Sequence, residues 1–229
     1  MKGTSYARPC ATHGCSRSAW TQYARYCNRC RQRRQKHGHP EQVPVRRTTE
    51  LKKYLKRVKR LLQRGNMEKI EAHLRAVAAR IEEAVRSPEA VAAPMGVNRW
   101  KQKAVDEILR VLGDTDPVKS GITVAAVFLM RDQDHRRFVD DTAFDFELVR
   151  LWRSQTRLNF GSYWNQETDK VVATYRPLPR GVVKAIEPYL TAAYSRFASY
   201  VITAFKKDLA RQTALRTSLD EGFAPLLAD

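Results

Sequence analysis

The residues best equipped for chemistry are four cysteines: Cys10 and Cys15 in C-A-T-H-G-C, then Cys27 and Cys30 in C-N-R-C. Paired as C-x4-C and C-x2-C, they have the spacing at which four thiolates close a tetrahedral shell around one zinc ion. Two disulfides are the alternative, and they require an oxidising compartment. The chain opens with no apolar leader segment, so an intracellular protein with one structural Zn²⁺ is expected. No cysteine follows Cys30, which argues against incidental thiols. His37 and His39 could each replace a thiolate. With four cysteines at hand, they are assigned instead to capping the helix or facing solvent.

These ligands must be held by local structure. The loop between the pairs contains Trp20, Tyr23 and Tyr26 and fits a small β-hairpin. After Cys30, the run Arg31 to Lys36 has helix-forming composition and stops at Gly38, with Pro40 beyond. Residues 10–40 are therefore expected to form a four-cysteine zinc finger whose last two ligands open a short basic helix.

The C-x4-C pair, the aromatic loop, the C-x2-C pair and an R-x-x-x-H-G-x-P ending at Arg33 to Pro40 carry a resemblance. Residues 10–40 resemble the small treble-clef or ribbon-like zinc fingers of phage and mobile-element proteins, including those that precede HNH-type endonuclease domains. In that group the fourth ligand is often histidine, where this chain has Cys30. The resemblance implies DNA binding. It does not carry nuclease activity across, because outside the finger only His73 and His135 remain and no His-Asn-His set can be assembled.

Charge points the same way. Residues 1–64 hold 18 of the 42 basic residues but only two acids, Glu41 and Glu50, and so carry +16 of the net +18. A strongly basic quarter on a nearly neutral body is the electrostatic footprint of a polyanion partner. A solvated face kept for solubility is the bland alternative. The longest apolar run, Ile122 to Met130, is about half of what a membrane span needs, so no membrane association is expected. Cytoplasmic placement follows, in a bacterial or phage-infected cell, with nucleoid association if the partner is DNA.

The expected class is mainly α. Residues 1–9 read as a flexible arm, and Pro40 to Arg47 as a connector. Thr48 or Thr49 caps a helix from Glu50 to Arg64, with an inward stripe of Leu51, Tyr54, Leu55, Val58, Leu61 and Leu62. Asn66 caps a second helix over 67–86, which completes a basic helical hairpin at 48–87. A domain boundary is placed near residues 87–97. Beyond it, residues 98–212 read as a helical domain: a helix at 99–112, a turn over Asp114 to Gly121, a helix reaching about Arg136, and a capping-box helix from Thr142 to about Asn159. One β-hairpin spans 161–175. A short helix before Pro188 and a long one to about Arg211 follow, and the tail at 213–229 is weakly patterned. Three helices followed by a hairpin are also the order of a winged-helix domain, which would place the third helix, with Arg150, Arg153 and Arg157, in the major groove.

The leading expectation is a zinc-dependent nucleic-acid-binding protein that prefers double-stranded DNA, a regulator or accessory factor of a phage or mobile element. Candidate contacts are Arg29, Arg31, Arg33, Arg34 and Lys36 on the finger helix, Arg46 and Arg47 in the connector, and Lys52, Lys53, Lys56, Arg57, Lys59 and Arg60 on the next helix. Residues 98–212 would serve a homodimer or a protein partner. RNA binding is one alternative, with Trp20, Tyr23 and Tyr26 stacking on bases if they are exposed. A metal-dependent nuclease using Asp132, Asp134, Asp140, Asp141, Asp145 and Glu147, with His135 nearby, is the other.

Overall fold

Short polar side chains set most of the helix starts. The computed structural model describes residues 8–93, 96–156, 161–166, 169–174 and 177–223. Among them the chain is mainly helical: α1 (Asn28–His37), α2 (Lys52–Gln63), α3 (Met67–Arg86), α4 (Arg99–Asp114), α5 (Pro117–Gln133), α6 (Asp141–Arg153) and α7 (Arg180–Phe223). Two antiparallel hairpins accompany them, β1 (Ala92–Ala93) with β2 (Gly96–Val97), and β3 (Gly161–Asn165) with β4 (Lys170–Thr174). The side chains of Asn66, Asn98, Asp116 and Asp140 each accept backbone N–H groups of the turn that follows, satisfying donors a helix start would otherwise leave orphaned.

Several boundaries differ from expectation. The turn before α5 is shorter than predicted, because Pro117 takes the first helical position, where its missing N–H costs nothing. Neither Thr48 nor Thr49 caps α2. Instead the Glu50 carboxylate accepts the Arg46 N–H at 2.7 Å, and Leu51 closes a wide turn onto the Arg46 carbonyl at 3.1 Å. Pro188 does not split the last helix. It lies on an exposed side of α7, while Ile186, Leu190 and Tyr194 hold the helix against the core on either side of it. α7 runs on through Thr213 to Phe223, and residues 224–229 of the expected tail lie outside the described residues, as do 1–7 of the expected arm.

α5 is the centre of the body. Its run Ile122 to Met130 is apolar nearly all round, the pattern of a helix enclosed on every side, and α2, α3, α6 and α7 pack around it. The stripe on α2 (Leu51, Tyr54, Val58, Leu62) and the stripe on α3 (Leu74, Val77, Ile81, Val85) enter that same core. Each such side chain contributes roughly 1.5–3 kcal/mol on full burial. One cluster thus runs from Val45 to Val201 and crosses the boundary expected near 87–97, where a short 3-10 turn (Pro88–Ala90) and the β1–β2 hairpin connect α3 to α4.

The winged-helix arrangement is not what forms. α6 buries Ala143, Phe144, Phe146, Glu147, Leu148, Val149, Leu151 and Trp152 against α1, α5 and α7, so it has no open face to lay in a groove. It ends at Arg153 rather than near Asn159, and Arg157 lies outside the described residues. The β3–β4 hairpin forms as expected in register Gly161↔Thr174, while Tyr175 and residues 167–168 of its turn lie outside the description.

The cysteine module is seated on this body. Glu147, with no solvent exposure, accepts the Val45 N–H at 2.9 Å and meets His37 Nδ1 at 2.6 Å; Arg150 completes the set and also donates to the Val45 carbonyl at 2.6 Å. The connector is held as firmly. Gln42 is fully buried, donates to the Val43 carbonyl at 2.7 Å and accepts the Val139 N–H at 3.1 Å. The Arg137 guanidinium spans the Val43 and Pro44 carbonyls and Glu50. Gly38 ends α1 at φ +81°, and a Cβ there would sit 2.6 Å from the Thr142 carbonyl oxygen. Left-handed backbone and close approach to another backbone both demand glycine. Gly38→Ala is therefore expected to cost on the order of 2 kcal/mol, lowering the melting temperature by about 4–8 °C in calorimetry, with the helical content retained.

Candidate metal centre and basic faces

The four sulfurs converge. Backbone bonds from Cys10 N to Arg17 O, Ala11 N to Arg25 O and Trp20 N to Tyr26 O bring the first pair beside the start of α1. Gly14, at φ +68°, makes the tight turn that C-x4-C needs. All four Sγ atoms lie within 4.8 Å of one another, with Cys15 3.9 Å from Cys27 and 3.8 Å from Cys30. A tetrahedron with metal–sulfur bonds of about 2.3 Å has edges of about 3.8 Å. A disulfide would hold its sulfurs at about 2.05 Å, and all four cysteines are free. The cluster could hold one metal ion.

The surroundings act on the four thiols unequally. The Cys27 N–H points at Cys10 Sγ (3.3 Å) and the Cys30 N–H at Cys27 Sγ (3.4 Å). Cys27 caps α1, so the positive end of that helix faces the cluster. Burial opposes ionisation of Cys10, but the Thr12 hydroxyl and the Cys27 and Thr12 N–H groups outweigh it and lower its pKa. Burial pushes the Cys30 thiol up, and the neighbouring cysteine sulfurs add to that rise. Four thiolates in so small a volume repel strongly, and a bound cation relieves that repulsion. His37 and His39 are not ligands: His37 is bound to Glu147, and His39 Nδ1 accepts the Glu41 N–H at 3.2 Å. The cysteine cluster packs separately from the main core. Chelation at neutral pH should therefore collapse the NMR signals of residues 10–37 into the random-coil range and leave the methyl resonances of α5 in place.

The candidate cations fall into two groups. Arg31 lies 3.9 Å above the Trp20 ring, Arg34 is 5.4 Å from Tyr26, and Arg33 donates to the Pro40 carbonyl. Arg47 donates to the Ser154 carbonyl at 2.7 Å, and Arg57 stacks on Tyr54 and Phe205. These side chains build structure. Arg29, Lys36, Arg46, Lys52, Lys53, Lys56, Lys59 and Arg60 are exposed and form no ion pair among the described residues. Lys53 also lies over the Tyr54 ring at 4.9 Å. The two acids of this basic quarter are occupied internally, Glu41 by the His13 N–H at 3.0 Å and Glu50 by Arg137 and Arg46.

The acids between 132 and 147 are not gathered on a shared cation position. Asp132 pairs with Lys206 at 2.7 Å, Asp141 with Arg131 at 2.5 Å, Asp140 caps Ala143, and Glu147 seats the cysteine module. Among the described residues the four cysteines are the one group of potential ligands close enough to share an ion. Asp145 is pushed up to about 6, first by burial and then by the charges of Glu187 and Asp141. Its folded pKa exceeds the unfolded value of about 3.9, so its penalty is absent below that value and develops as pH rises toward 6. Asp145→Asn should thus raise the melting temperature at pH 8 and lose that advantage at pH 4, as thermal scans at the two values would measure.

Sequence reasoning missed Glu147, Gln42 and Arg137 as the groups that seat the module. Glu147 gave one local sign: it interrupts the apolar stripe of Phe144, Leu148 and Leu151. No helix among the described residues is long and apolar enough to cross a membrane. No protein family, curated protein or solved structure with which the chain was compared matches it.

Proposed function

We propose that the protein is a zinc-dependent nucleic-acid-binding protein that binds double-stranded DNA, acting as a regulator or accessory factor of a phage or mobile element. The observation that carries this reading is α2. Its apolar stripe is locked into the core, so Lys52, Lys53, Lys56, Lys59 and Arg60 are directed to solvent with no acid among them to neutralise the field. A stable fold has no need of such a face, because like charges on one helix repel. A phosphate backbone supplies the missing countercharge and releases condensed ions as it does so. Four thiolates at tetrahedral spacing suit Zn²⁺, whose role here is to fold the module that presents Arg29 and Lys36. The resemblance of residues 10–40 to phage and mobile-element fingers supports the DNA assignment and the biological setting.

Affinity for a labelled random duplex, measured across about 50–300 mM salt, should fall with a log–log slope equivalent to several phosphates at roughly −0.9 each. Charge reversal at Lys52, Lys56 and Lys59 should flatten that slope while leaving folding stability within about 0.5 kcal/mol of wild type, since these side chains are exposed. A wild-type slope in the triple variant would remove α2 from the interface.

A further inference from the structure

The loop between the two cysteine pairs carries an arrangement that phosphate contacts do not require. Trp20 is 54% exposed and Tyr23 is 88% exposed. Two large aromatics exposed three residues apart in one short loop offer ring faces that the fold itself does not cover. The loop that carries them is ordered. The Trp20 N–H bonds the Tyr26 carbonyl at 3.1 Å, and the Ala24 N–H bonds the Thr21 carbonyl at 3.0 Å and the Thr21 hydroxyl at 3.1 Å. This turn sets Tyr23 at its tip and fixes the base of Trp20. The Arg31 guanidinium covers the Trp20 ring at 3.9 Å, yet more than half of the residue stays open. Arg17, Arg25 and Arg29 are exposed around the loop, and no Asp or Glu occurs anywhere from Met1 to Pro40.

We propose that this loop is a stacking site for an unpaired nucleotide base, with Trp20 and Tyr23 as the stacking surfaces and the surrounding arginines as phosphate contacts. The chemistry is general. A base within a duplex presents only its edges, whereas an unpaired base presents a π-face that an indole or phenol ring can cover. The guanidinium under Trp20 holds the ring in place before binding, so little side-chain entropy remains to be lost. Tyr26, half-buried and flanked by Arg25 and Arg34, is part of the support rather than of the contact surface. The site rests on the nucleic-acid reading above and narrows it. The preferred ligand is a duplex bearing a single-stranded segment whose unpaired bases reach the loop.

The test uses the full zinc-loaded chain and four probes: a blunt DNA duplex, the same duplex with a single-stranded DNA tail, the same duplex with an RNA tail, and an abasic tail. Wild type should bind the base-bearing tails more tightly than the blunt or abasic probes. Trp20→Ala and Tyr23→Ala should each reduce tailed-probe affinity by roughly 5- to 100-fold and leave blunt-duplex affinity unchanged. Trp20→Phe and Tyr23→Phe should restore most of the loss. Tyr23→Ala removes a side chain almost wholly in solvent and so separates binding from folding. Equal wild-type affinity for blunt and tailed probes, or tailed affinity untouched in both alanine variants, overturns the stacking site and leaves duplex binding standing. Absence of binding to every probe overturns the nucleic-acid reading and this site with it. The relative affinities of the DNA and RNA tails identify which polymer supplies the base.

Discussion

The structure turns on one buried carboxylate. Glu147 is wholly withdrawn from water, and such a charge is tolerable only when every lone pair is answered. Its partners come from three places: His37 at the end of the cysteine module, the Val45 N–H in the connector and Arg150 on its own helix. Burial alone would raise its pKa, but these groups outweigh that and hold it below the ordinary carboxylate range. Losing one partner of such a set generally costs about 3–5 kcal/mol. The module's position on the body is therefore specified, not merely allowed.

The same helix touches both centres. α1 is 10 residues long, which at the rise of an α-helix is about 15 Å. It starts on the sulfur cluster, where Cys27 caps it and Cys30 lies in its first turn, and it ends at His37 against Glu147. The cysteine cluster and the carboxylate are thus the two ends of one rigid element. A module whose four cysteines could share an ion is oriented by a hydrogen bond to a buried carboxylate at the other end of its helix.

Much of this was legible in the chain. The cysteine spacing alone predicted the convergence of four sulfurs, because ligand geometry at this distance is local. The helices α3 and α4, with their asparagine caps, and the inward stripe of α2 followed from periodicity and capping chemistry that act within a few residues. What failed was non-local. Thr48 and Thr49 looked like caps, and the competing partner, Arg137, lies 87 residues away from Glu50. Pro188 looked like a break, but core contacts on both sides carry the helix through it. The helix-and-hairpin order suggested a DNA-reading third helix, and only packing shows that α6 is enclosed. An apparent linker, Pro40 to Arg47, concealed a fully buried Gln42, which no local pattern announces.

The separation between Glu147 and its partners also sets an order of events during synthesis. His37 and Glu147 are 110 residues apart, and Val45 and Glu147 are 102 apart. The cysteine loop closes over short distances, and its four thiols could share an ion once Cys30 has left the ribosome. Its seat does not exist until α6 has been made, and joining ends so far apart in sequence is slow. For that interval residues 1–40, with nine Lys/Arg and no Asp or Glu, precede the helix that seats them. The internal pairing of Glu41 with the His13 N–H needs no later sequence, so it is available throughout that wait. Every residue of the module is thus made, with its internal partner for Glu41, before the helix that seats it.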